Sequence, residues 1–194
     1  MNIIFDFDGV IINSHKIKTL AFYNIFKAYG KNIGIRAKKF HLENIGKSRY
    51  YKFRFILKNI LKSKFTKKKM LILDKEFDYY IENQLKKLTP SKYLIKFLEN
   101  SKVKRNIYIS TGTPQKKIIK ILKEKKLLKY FNQVYGSPKS KINHINHIKN
   151  KNDHKCIFIG DSFEDFKVSQ KANIAFILKL NYENLFFRKK IILN

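Results

Sequence analysis

From Pro90 onward the chain alternates short apolar runs with longer amphipathic stretches, and each apolar run closes on polar residues. Asn106 to Ser110 leads into Thr111-Gly112-Thr113-Pro114, Val134-Tyr135 into Gly136-Ser137-Pro138, and Lys155 to Ile159 into Gly160-Asp161. At the N-terminus, Asn2 to Phe7 closes in the same way on Asp6, Asp8 and Gly9. Apolar runs this short read as buried strands, and the stretches between them as crossover helices. Such alternation specifies a parallel sheet, and ligands of such sheets bind outside the carboxyl ends of the strands. The predicted fold is therefore α/β, a Rossmann-like parallel sheet with its polar clusters gathered along one edge.

Residues 14–88 interrupt this pattern. They carry no strand signal. The apolar spacing predicts helices over Ser14 to Gly30, about Arg36 to Glu43, Ser48 to Leu61, and from Thr66 toward Leu88. Phe22, Ile25, Phe26 and Tyr29 form one stripe, and Phe77, Tyr80, Ile81 and Leu85 another. An all-helical insertion after the first strand follows, giving a core of residues 1–13 and 89–194 and a helical domain of residues 14–88. Ile174 to Leu178 reads as the last strand, and the tail from Tyr182 to Asn194 is ambiguous.

Composition narrows the class. A single cysteine, Cys156, excludes a disulfide framework and a cysteine zinc site, and its strand position marks it as core. No apolar run has the length of a membrane span. The N-terminus meets an acid at Asp6 with no basic region before it, unlike a secretory signal. The expectation is a soluble, cytoplasmic protein, monomer or homodimer, with no membrane partner.

The net charge is +29, and 38 of the 43 basic residues are Lys. That balance suits a polyanion partner. Base readout favours Arg, however, and the Lys residues are spread along the whole chain. Codons rich in A and T would give the same excess of Lys, Ile and Asn. The charge is read as a solvated surface that draws in anionic substrates, with no specific nucleic acid.

Asp6 and Asp8, two positions apart in an extended segment, face the same way and repel each other unless a cation or hydrogen bonds compensate. Asp161 and Asp165 bring two more acids to another strand end. Four convergent carboxylates call for a hard divalent cation, most naturally Mg²⁺. They also call for a cationic side chain, which Lys141 can supply. His144 and His147, with no third ligand near in sequence, do not make a metal site.

These residues resemble the motifs of the haloacid dehalogenase-like phosphohydrolases. Asp6-Phe7-Asp8-Gly9-Val10 is similar to the first, Ile107 to Thr111 to the second, Gly136-Ser137-Pro138-Lys139-Ser140-Lys141 to the third, and Ile159-Gly160-Asp161-Ser162 with Asp165 to the fourth. They occur in the family's order, with the helical block where its helical caps are inserted. The resemblance is strongest to phosphoglycolate-phosphatase-like members.

It implies Asp6 as nucleophile and Asp8 as proton donor and acceptor. Mg²⁺ would be held by Asp6, by Asp8 through its backbone carbonyl, and by Asp161. Thr111, Gly112 and Lys141 would bind the phosphoryl group, and Asp165 would orient the metal shell or Lys141. Lys141 fits the spacing better than Lys139, and Thr111 better than Ser110. The acid at Asp8 favours phosphate chemistry over dehalogenation. In the cap, Arg49, His41 and Lys52 flank Gly46 and are read as recognising the leaving group. The expected activity is a Mg²⁺-dependent phosphatase for a small phosphorylated metabolite, phosphoglycolate or a sugar phosphate. Its rivals are a phosphomutase with the same motifs and a basic polyanion-binding protein with a vestigial site.

Overall fold

A computed structural model of the chain describes residues 1–101, 105–151 and 155–180. The chain divides into two compact units, Met1–Asn13 with Thr89–Asn194, and Ser14–Leu88.

The first unit holds a five-stranded sheet, β1 (Asn2–Phe5), β2 (Asn106–Pro114), β3 (Gln133–Ser137), β4 (Cys156–Gly160) and β5 (Ala175–Leu178). Its order is β3-β2-β1-β4-β5, and every pairing is parallel. β1 is central, in register with both neighbours: Ile4 lies level with Tyr108 and Phe158, and Phe5 with Ile109 and Ile159. Alternation along the strands then assigns the two faces. Ile4, Tyr108 and Phe158 pack against Ile145 and Ile148 of α7 (Lys141–Lys151) and Val168 of α8 (Phe163–Lys171). Phe5, on the other face, meets the ring of Phe97 from α5 (Lys92–Ser101) edge-on at 6.2 Å. Helix α6 (Gln115–Glu124) follows β2 and buries Ile118 and Leu122. Because all strands are parallel, the segments that leave β1, β2 and β4 emerge side by side at one edge.

Strand β2 runs four residues past the predicted end at Ser110, through Thr111, Gly112 and Thr113 to Pro114. The extension pairs with β3 through an irregular register. Tertiary pairing here overrides the turn character of Thr-Gly-Thr-Pro.

The second unit contains α1 (His15–Lys27), α2 (Lys31–Glu43), α3 (Arg49–Phe55) with a π-helical turn at Ile56–Ile60, and α4 (Lys67–Lys87). Its centre is aromatic. Phe22 lies 5.4 Å from Phe53 and 5.2 Å from Phe77 between ring centroids. Helix α2 starts about five residues before the predicted Arg36, because Gly34 masks the helical pattern. A Cβ at Gly34 would come within 3.0 Å of the Tyr23 carbonyl, so this glycine lets α1 and α2 approach closely. The predicted stripe on α1 ends at Phe26, since Tyr29 is exposed, and Tyr80 stands at the edge of the stripe on α4. The ambiguous tail, Tyr182 to Asn194, lies outside the described residues.

Candidate active site

Asp6 follows β1, Asp161 follows β4, and Asp165 lies in the first turn of α8. All three are buried, and their carboxylate oxygens lie within 4.8 Å of one another. Lys141, the first residue of α7, reaches between them. Its Nζ is 2.9 Å from Asp6 Oδ2 and donates to Asp165 Oδ1 at 2.6 Å. Lys139 is exposed. Of these two lysines, the one preferred from spacing, Lys141, is the one placed among the carboxylates.

Asp165 is locked in place from the other side. Its Oδ2 accepts hydrogen bonds from the backbone N–H and hydroxyl of Ser162, while Ser162 Oγ accepts from the Asp165 N–H. This reciprocal capping box also starts α8. Gly160 makes room for it: a Cβ there would crowd the Asp165 side chain, with Oδ2 at 2.9 Å. Gly160→Ala is therefore expected to displace Asp165 and with it Lys141. Its cost should be roughly 1–3 kcal/mol of stability, the usual range for overpacking, with a loss of turnover. Thermal unfolding and phosphate release on one preparation check this.

The electrostatics follow from burial. Burial of Asp6 and the repulsion of Asp165, Asp161 and Asp8 outweigh the single ammonium of Lys141, and its carboxyl is pushed up to about 8. Burial works against the charge on Lys141, but Asp165 and Asp6 more than reverse it and hold the ammonium protonated.

Around this centre, Asp8 Oδ2 accepts from the Thr113 hydroxyl at 3.0 Å. The motif segments do not mark Thr113 out. The period of two along a strand, which puts Thr111 and Thr113 on one side, was the available signal. Thr111 is buried, and its Oγ1 accepts from the Thr113 N–H at 3.2 Å. Gly112 stands between them, half-buried. Ser110 is engaged elsewhere, its Oγ hydrogen-bonded to His144 Nδ1 at 3.0 Å. Burial, then the charge of Lys141, pushes His144 down to about 4, so it is a neutral core histidine at physiological pH.

The helical unit treats the three other predicted residues differently. Arg49 is buried, with Nε 2.7 Å from Asp74 and NH1 2.8 Å from Asp78, both on α4. Its guanidinium fork binds α3 to α4, a structural task within the helical unit. Sequence spacing could not reveal this, because Asp74 and Asp78 are 25 and 29 positions away. Arg49→Ala takes the guanidinium from two part-buried carboxylates and is expected to cost roughly 2–4 kcal/mol, measured by denaturant unfolding. Arg49→Lys should recover only part of that, since an ammonium cannot span both acids.

His41 and Lys52 are both buried. Lys52 Nζ lies 3.1 Å from His41 Nδ1, and the His41 ring stacks on Phe22 at 4.5 Å. Burial, then the neighbouring Lys52, His15 and Lys18, holds His41 well below the usual histidine range. It is therefore neutral, and Nδ1 can accept the proton that Lys52 donates.

A family model described as haloacid dehalogenase-like hydrolase matches residues 3–179, which include all four motif segments. The chain belongs to the haloacid dehalogenase-like hydrolases. Solved structures agree in fold. A β-phosphoglucomutase from Clostridium difficile aligns over 95% of this chain and 86% of its own, at 20% identity and a TM-score of 0.76. A predicted phosphoglycolate phosphatase from Haemophilus somnus aligns over 91% and 83%, at 18% identity and a TM-score of 0.70. A predicted phosphatase from Clostridium acetobutylicum aligns over 100% and 98%, at 17% identity and a TM-score of 0.70. No curated protein matches the sequence.

Proposed function

We propose that the protein is a Mg²⁺-dependent phosphomonoesterase acting on a small phosphorylated metabolite of the phosphoglycolate or sugar-phosphate type. The observation that carries this reading is the buried group Asp6–Lys141–Asp165 beside Asp161. Three buried carboxylates against one ammonium leave excess negative charge, and the donors are all hard oxygens. That set fits Mg²⁺, held by Asp6, Asp161 and the backbone carbonyl of Asp8. When bound, the ion keeps Asp6 ionised and screens the phosphate.

The protein's own groups supply the rest. Asp6 attacks phosphorus, and the bond from phosphorus to the ester oxygen breaks as an aspartyl-phosphate forms. Asp8 gives its proton to that leaving oxygen, then takes one from the water that attacks the aspartyl-phosphate and releases Asp6 and phosphate. The Thr113 hydroxyl fixes the Asp8 carboxyl for both transfers. Lys141 neutralises charge on the phosphoryl oxygens, with Thr111 and Gly112 as further phosphate-binding groups. Asp165 holds Lys141 in position.

Phosphate release from a panel of phosphomonoesters, with Mg²⁺ and with chelator, tests the reading. Release that survives chelation would overturn it, and activity that requires a sugar bisphosphate primer would identify a mutase instead. The metal has a readout apart from turnover. Asp6 has an unfolded value of 3.8 and a folded one of about 8, so the metal-free fold binds an extra proton between them. The stabilisation from protonated Asp6 is lost as pH rises through that window. Mg²⁺ binds the ionised form, so the increase in Tm it gives should grow from about pH 6 to about pH 8. An increase that stays flat over this range would remove Asp6 from the metal site.

A further inference from the structure

Helix α4 has a second face that the helical unit does not use. Leu73, Phe77, Ile81 and Leu85 point inward and are buried. On the opposite side lie Lys68, Leu71, Ile72 and Lys75, at helical spacing i, i+3, i+4 and i+7. All four are exposed, Leu71 by 63% and Ile72 by 46%. Two large aliphatic side chains thus stand between lysines on a solvent face.

The chain just before this face is strongly cationic. No acid occurs from Asn44 to Leu73. Arg54, Lys58, Lys62, Lys64 and Lys67 to Lys69 are all exposed within that stretch. Three local contacts fold it into one surface. The Arg54 guanidinium lies 5.0 Å from the centre of the Phe65 ring, Lys69 Nζ donates to Ser63 Oγ, and Thr66 Oγ1 accepts from the Lys69 N–H. The first turn of α4 carries three lysines and no acid, against the helix dipole. Mutual repulsion and the dipole both make this arrangement costly in the free protein, and a bound polyanion relieves both.

We propose that this surface, the outer face of α4 with the Arg54–Lys69 stretch, docks on an anionic phospholipid membrane. The charge is complementary to acidic headgroups, and Leu71 and Ile72 supply the apolar element that enters the headgroup boundary. A nucleic acid would leave those two side chains without a role, and a second copy of a chain carrying +29 would be repelled. Taken over the whole chain the Lys residues are spread out, which favours a solvated surface over an anionic-membrane partner; the concentration lies in this one acid-free stretch. No helix among the described residues is long and apolar enough to cross a membrane, and the contact proposed for this face is a peripheral one.

The test is co-sedimentation at physiological salt with vesicles of phosphatidylcholine alone or mixed with phosphatidylglycerol. The full chain should sediment with the mixed vesicles only. Lys67→Gln with Lys68→Gln and Lys69→Gln should weaken binding roughly a hundredfold, about fivefold for each lysine. A control with Lys116→Gln, Lys123→Gln and Lys129→Gln, which removes equal charge elsewhere, should bind nearly as the parent. Leu71→Ser with Ile72→Ser should weaken binding roughly tenfold with charge unchanged. Each variant is first shown to fold as the parent by circular dichroism, and the Lys67/Lys68/Lys69 variant should unfold at or above the parent's Tm because it relieves the repulsion at the start of α4. No retention on mixed vesicles, or equal losses in both lysine triples, would overturn the proposal. So would full retention by the Leu71/Ile72 variant. Tighter binding to single-stranded RNA than to vesicles, insensitive to Leu71 and Ile72, would replace the membrane with a nucleic acid.

Discussion

Asp6→Asn should lower phosphate release by roughly 10⁴-fold or more, the scale seen when a covalent nucleophile is removed. The amide is nearly isosteric, so packing is kept, but it cannot attack phosphorus and is a poor ligand for a hard cation. Stability should move the other way. In the parent, Asp6 is a buried acid surrounded by Asp165, Asp161 and Asp8, with one ammonium at 2.9 Å. A neutral amide removes that repulsion, so the metal-free variant should unfold at or above the parent's Tm near pH 8, where the parent's Asp6 begins to ionise. The increase in Tm with Mg²⁺ should shrink in the same variant. Wild-type turnover by folded Asp6→Asn would dismiss Asp6 as the nucleophile.

Lys141→Met should damage both the fold and the reaction. The ammonium is buried between Asp6 and Asp165, at 2.9 and 2.6 Å. Methionine fills most of the space but leaves two buried acids without their cation. Breaking a buried ion pair in this one-sided way costs roughly 3–5 kcal/mol. Asp6 would then be protonated to still higher pH, and a protonated acid is no nucleophile. Turnover should fall by roughly 10²–10⁴-fold, the combined loss of that charge and of phosphate neutralisation. Excess Mg²⁺ should recover part of the lost Tm, because it restores a cation beside the same carboxylates, but little of the rate. Lys141→Arg should not rescue the rate, since a planar guanidinium does not fit a pocket shaped around one nitrogen. Losses under threefold in kcat/KM would remove Lys141 from the reaction.

Much of this molecule is legible along the chain, and the reason is local. A parallel sheet with helices on both faces buries its strands, so β1 and β4 appear as apolar runs that no solvent-facing segment would tolerate. Every such strand ends at the same edge, so Asp6, Thr111, Lys141 and Asp161 are gathered by topology before any contact is known. The four motif segments all lie within residues 3–179, the range that the family model matches.

Other features are relations between distant residues, which no local pattern carries. The Ser110 hydroxyl is taken by His144, 34 positions away, and Asp8 is held by Thr113, 105 positions away. Lys141 is preferred to Lys139 because one side chain is buried between two carboxylates and the other is in water. Arg49 shows the limit most clearly. By composition it stands out as a rare arginine beside a glycine turn, which suggests recognition. Its fork closes on Asp74 and Asp78 of α4, contacts of which composition gives no sign. The sequence by itself determined the order of strands and helices and the identity of the acids at the strand ends, because burial and strand direction write a period into the chain. Only the tertiary structure decided which charges neutralise one another, because the energy of a buried ion depends on the few ångströms to its partner and not on its place in the sequence.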